Sequence, residues 1–94
     1  MVTSVARVPT DQASRFLNQL CKHFEHRLKV TYSAEKGSIE YEGNTCHLDA
    51  EAETLVLRAA APDEETLGKL EHVVASHLER FMFREKPVIS WTRS

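Results

Sequence analysis

Five histidines and two cysteines are the side chains of this sequence best suited to chemistry, a large share for 94 residues. Histidine titrates near neutrality and ligates divalent metals, while cysteine supplies a nucleophile or a soft donor. Cys21-Lys22-His23 sets a thiol and an imidazole two residues apart. On a helix that spacing is about 200°, so the two leave on opposite flanks and form no thiol–imidazole pair. Cys46 and His47 are neighbours on an alternating segment and point to opposite faces of a sheet. Both cysteines therefore read as small hydrophobes; sequence leaves a disulfide between them open, and a cytoplasmic setting favours free thiols. Cys46 faces the core, and Cys21 borders an apolar stripe.

The groups that can meet are histidines. His23 and His26 are one helical turn apart. His23 lies about 70° from the centre of its helix's apolar stripe, and His77 about 60° from its own, on the same rotational side. His72 faces outward. A right-handed crossover turns the His23 edge toward the second helix. His23 and His77 are then expected to meet across the seam, with Arg80 and Gln19 nearby. The competing seam would use Cys21, Gly68, Ala75 and Met82, and handedness selects the histidine one. Imidazoles meeting there would share a proton, take Glu79 or Glu85 as a carboxylate partner, or bind iron or zinc. The ligand-binding candidates are His23, His26, His77 and Arg80, and the metal candidates are the three histidines. Imidazoles without a fixed carboxylate make an incomplete metal shell. A polar, ligand-contacting cluster is thus the stronger expectation, and no cofactor is required.

Other chemistry is missing from the sequence. Gly37, Gly43 and Gly68 are the only glycines, and they build no phosphate loop, dinucleotide fingerprint or nucleophile elbow. Ser76 and His77 diverge by about 100° and cannot act as nucleophile and base. The first reading is a non-enzymatic accessory or interaction domain, with a small-molecule or metal binder as the alternative. An enzyme using Cys46 or a seam histidine as base stands third. Phe83, with Arg80 and Arg84 beside it, is a contact point unless it folds back onto Trp91.

The elements that position these groups follow from hydrophobic period. Thr3 to Val8 reads as a first strand, with Thr10 or Asp11 as the N-cap of a helix carrying Ala13, Phe16, Leu17, Leu20 and Phe24. That helix is expected to run to about Arg27. Strands follow around Leu28–Tyr32, Ser38–Glu42, Thr45–Ala50 and Thr54–Ala60, with Gly43-Asn44 as a hairpin turn. Pro62-Asp63-Glu64-Glu65 opens a second helix bearing Leu67, Leu70, Val74, Leu78 and Phe81. Val88 to Thr92 reads as a closing strand. The expected fold is a single α+β domain over residues 1–94. It is a two-layer sandwich of an antiparallel sheet, β-α-β-β-β-β-α-β, with both helices on one face. An antiparallel sheet cannot pair strands one and two, so strand one pairs with strand three or strand five; the order 1-5-4-3-2, with the last strand beside the first, satisfies this with hairpins through the middle. By analogy that is a TATA-binding-protein-like topology.

Hydrophobic residues make up 41% of the chain and charged residues 28%, with a net charge of -2, an ordinary globular composition. Nine acidic residues between Glu35 and Glu65 face only Lys36 and Arg58. Glu40, Glu42 and Asp49 fall on the outer sheet face, where they repel phosphate. No nucleic-acid binding is expected. The absence of a membrane-length apolar run or a signal-peptide pattern makes the expected location cytoplasmic and away from membranes.

Ser14-Arg15-Phe16-Leu17, Leu20-Cys21-Lys22-His23-Phe24-Glu25-His26 and His77-Leu78-Glu79-Arg80-Phe81-Met82-Phe83-Arg84-Glu85 together resemble the bacterial domain-of-unknown-function family numbered 2218. The resemblance extends over nearly the whole chain, including the opening strand, the glycine-bounded hairpins and the closing tryptophan. It implies a bacterial cytosolic domain. Because some members accompany, or are fused to, flavin-binding siderophore-interacting proteins, it also implies a protein partner in iron uptake. It assigns no catalytic residue.

Overall fold

In the computed structural model, which describes residues 1–93, alternation yields six strands and the two apolar stripes yield two helices. The order is β1 (Val2–Pro9), α1 (Ala13–Phe24), β2 (Lys29–Tyr32), β3 (Lys36–Tyr41), β4 (Asn44–Ala50), β5 (Thr54–Ala61), α2 (Glu64–Phe81) and β6 (Trp91–Arg93). All strand pairs are antiparallel, in the order β2-β3-β4-β5-β1-β6. This is the arrangement expected from the sequence, with β6 beside β1. Both helices cover one face. α1 lies chiefly over β2 and β3, and α2 over β5 and β1.

One core fills the space between the layers. Ala6, Val8, Ile39, Leu48, Leu55 and Leu57 rise from the sheet to meet Leu17, Leu20, Leu70, Val74 and Leu78. Val56 is buried too, but on the opposite face, where its register partners are Arg7 and Asp49. α2 starts as its sequence dictates. The Asp63 carboxylate accepts from the Thr66 N–H at 2.7 Å, and Glu64 and Glu65 occupy the positive end.

Several boundaries differ from the expectation. Neither Thr10 nor Asp11 caps α1, which begins at Ala13 after Gln12 with no side-chain cap. The Thr10 N–H donates to the Glu53 carbonyl at 3.0 Å, so strand-like pairing runs past Pro9 and delays the helix. The Thr10 hydroxyl accepts from the Gln12 N–H instead, at 3.1 Å. α1 ends at Phe24 rather than Arg27, its carbonyl receiving the N–H groups of Arg27 and Leu28. The hairpin turn is Glu42-Gly43, one residue earlier than Gly43-Asn44. Both residues take positive φ, 49° and 82°, the pattern of a type I′ turn. Asn44 opens β4, its amide donating back to the carbonyls of Tyr41 and Glu42.

β6 is only three residues long, because Val88 is exposed rather than paired. It is clipped to α2 by Arg93, which forks onto Glu71 with contacts of 2.8 and 3.3 Å. Glu71 is 8% exposed, a burial its charge tolerates only because the guanidinium answers both oxygens. The outer sheet face is also less acidic than expected. Asp49 sits between Arg58 and Lys36, and Glu40 is registered opposite Lys29.

Candidate functional site

His23 lies in the last turn of α1, and His77 in the second half of α2. Their ring centroids are 5.1 Å apart, inclined at 38°. Phe24 stands 4.9 Å from the His77 ring, and Phe81 meets His23 edge-on at 5.6 Å. Further back along α1, Arg15 and Gln19 share a groove with Phe81, the last residue of α2, and with the residues up to Glu85 that follow it, so the helices run antiparallel. The histidine edges therefore face each other. The seam holding Cys21 and Gly68 does not form.

One local contact orients His77. Its Nδ1 is 2.7 Å from the Val73 carbonyl one turn back. A carbonyl only accepts, so Nδ1 carries the hydrogen, and Nε2 is the nitrogen left for another partner. His77 is half-buried and His23 exposed. Partial desolvation holds the His23 pKa below its ordinary value, reinforced by the charges of His77, His26, Arg27 and Arg80. Among the described residues, the charged groups acting on His23 are cationic or can become so. The carboxylate partner expected from Glu79 or Glu85 is not among them. Glu25, two residues away, acts instead on Cys21 and Tyr32 at the other flank.

The seam opens at the C-terminal end of α1 into a cleft of about 550 Å³. His23, His26 and His77 line it, together with Arg27, Tyr41 and the apolar walls of Phe24, Leu28 and Val73. Arg80 does not line the cleft and reaches His23 only through its charge, while Gln19 belongs to the neighbouring groove. Arg27 and Tyr41 are lining residues that sequence reasoning missed. Their signals were present: Arg27 follows His23 by four residues, and Tyr41 has the inward parity of Ile39 on β3. Among the described residues, no group of three or more His, Cys, Asp or Glu side chains is arranged to hold a metal ion.

The thiols take no part. Cys21 and Cys46 are free and buried. Burial, aided by Glu25, pushes Cys21 up to about 11. Burial, aided by Cys21, pushes Cys46 up to about 12. Neither supplies a thiolate near neutral pH, which removes Cys46 as a nucleophile or base. At the far end of α2, Phe83 is 64% exposed with the Arg84 guanidinium 5.6 Å over its ring, rather than packed on Trp91. No described helix is long and apolar enough to cross a membrane.

Comparison with known proteins agrees with this architecture. An NMR structure of PA4090 from Pseudomonas aeruginosa superposes with a TM-score of 0.83 at 35% identity, covering 98% of this chain and 96% of that one. No curated protein matches. A family model described as an uncharacterized protein conserved in bacteria, DUF2218, matches residues 5–92, and the chain belongs to that family.

Proposed function

We propose that the protein is a non-catalytic bacterial accessory domain whose working surface is the histidine cleft, and that the cleft takes up a small organic molecule. The observation behind this reading is the pairing of His23 with His77 at the mouth of a cleft of about 550 Å³. That volume suits a ligand of modest size. The lining combines apolar walls with a few convergent polar groups, as small-molecule sites do. An organic ligand fits better than a metal ion, since Arg27 and Arg80 bring fixed positive charge to the imidazoles and repel a cation.

The iron-uptake setting implied by the family resemblance supplies a first ligand chemistry, a catechol carboxylate. Its ring would lie against Phe24, Leu28 and Val73, and its polar edge would meet the histidines and Arg27. Titrating isotope-labelled protein with protocatechuate is expected to move the resonances of His23, His77, Tyr41 and Val73 together. His77→Ala should weaken binding by about tenfold or more, the loss of a hydrogen bond to a charged group. Shifts confined to the sheet's outer face, or an unchanged affinity in His77→Ala, would refute the reading. A second reading, docking onto a protein of iron uptake, is favoured by Phe83. An unchanged affinity of Phe83→Ala for a siderophore-interacting flavoprotein would remove it.

A further inference from the structure

We propose that the ligand of this cleft is an oxyanion, and that it enters together with a proton that settles on His23. This deepens the small-molecule reading of the same cleft and rests on it. The composition around a single ring points to the oxyanion. From α2, His77 faces His23 and Arg80 adds its charge from outside the cleft, while His26 and Arg27, just past the end of α1, line the same cleft. Tyr41 reaches the cleft from β3, and its hydroxyl adds a hydrogen-bond donor. No carboxylate stands among these groups, and the nearest in sequence, Glu25, acts on Cys21 and Tyr32 at the other flank instead.

A surface imidazole is usually answered by an acid or by water alone. Here the exposed ring is met by the charges of two guanidinium groups and by two further imidazoles, beside the apolar walls of the cleft. The free cleft therefore disfavours a proton on His23, while an anion placed among the same groups cancels that repulsion. The anion is also a hydrogen-bond acceptor for a protonated ring and for Arg27, the pairing in which charge-assisted bonds are strongest. Protein and ligand each supply what the other lacks.

The sign of the linkage follows. Above the His23 pKa of the complex, the ring is neutral in both states, and affinity does not change with pH. Between the pKa of the complex and that of the free protein, binding takes up a proton. Affinity then rises as pH falls, by at most about tenfold per pH unit for one proton. Below the pKa of the free protein the ring is charged in both states, and affinity levels off.

Calorimetry tests this with benzoate, whose carboxylate stays ionised from about pH 8 to about pH 5.5, across the range of histidine titration. Phenyl phosphate at one fixed pH distinguishes a phosphate-type ligand from a carboxylate. The expected result is a dissociation constant that falls with pH, with proton uptake of up to one seen by repeating the titration in buffers of different ionisation heat. His23→Gln, at an exposed position, should still bind but lose that dependence. If both probes bind with no proton uptake, or if His23→Gln leaves the pH dependence intact, the coupling is wrong and the cleft remains a binding site. If neither benzoate nor phenyl phosphate binds while neutral catechol does, the oxyanion assignment falls alone. If no probe binds at any pH, the small-molecule reading falls with it.

Discussion

Leu20→Ala lowers the unfolding free energy by about 2–5 kcal/mol, the range for truncating a fully buried leucine. Leu20 is 0% exposed on the inner face of α1, and Val74 is likewise 0% exposed on α2. Both belong to the core between the helices and the sheet. Removing the isopropyl end of the side chain forfeits its transfer energy and leaves a void that close-packed neighbours fill only in part. Val74→Ala removes one carbon fewer and should cost correspondingly less. A domain of this size has about 5–15 kcal/mol in all, so Leu20→Ala removes a large fraction of it. Urea unfolding checks the expectation through a lowered midpoint at unchanged slope. A midpoint within experimental error of wild type would mean that α1 does not pack on the sheet through this face.

Gly37→Ala is the second large effect, and it comes from the opposite error, too much volume. Gly37 lies in β3, registered between Tyr32 and Leu48. A Cβ built there falls 2.8 Å from the Cys21 sulfur and 3.4 Å from Leu17 Cδ2. The first distance is well inside van der Waals contact. Either α1 lifts from the sheet or the Cys21 side chain turns in a site with no free space, at a cost of about 1–3 kcal/mol. Shortening Cys21 to alanine in the same molecule removes the obstructing sulfur. The double variant should therefore be more stable than the sum of the single losses predicts, by about 1 kcal/mol. Strict additivity would show that the sulfur is not what Gly37 accommodates.

The fold was legible wherever one local rule governed it. The three- and four-residue spacing of Phe16, Leu17, Leu20 and Phe24 placed α1, and Asp63 placed the start of α2. Alternation through Cys46, Leu48 and Ala50 set which face of β4 looks inward. Antiparallel pairing and short hairpins made 1-5-4-3-2 an order that fits, and crossover hand indicated which helix edges meet. Failures occurred where a distant partner overrode the local signal. Thr10 looks like a cap, but its backbone is held by Glu53, more than forty residues on. Helical spacing likewise says nothing of the burial of Glu71, which depends on the guanidinium that Arg93 brings from 22 residues later. Glu42 takes positive φ because the hairpin demands it, not because glutamate favours it.

The cleft shows the same division. Helical angle arithmetic is enough to put His23 and His77 on facing edges, because 100° per residue is a property of the backbone. Which charges surround them depends on side-chain direction and on the ends of elements, where periodicity lapses. The sequence offered Glu79 and Glu85 as partners, but the ring is met by Arg27 and Arg80. That reversal matters more to function than any boundary, since an imidazole among cations has an affinity for anions that an imidazole beside a carboxylate lacks.

Long-range nitrogen–proton correlation NMR across a pH series reads the state of the two imidazoles in the unliganded protein most directly. Neutral His77 is expected to carry its hydrogen on Nδ1, held by the Val73 carbonyl. His23 is expected to titrate below its ordinary value of 6.5, with through-space contacts between the two rings. A hydrogen on His77 Nε2, a His23 that titrates at or above that value, and no contact between the rings would contradict the histidine seam.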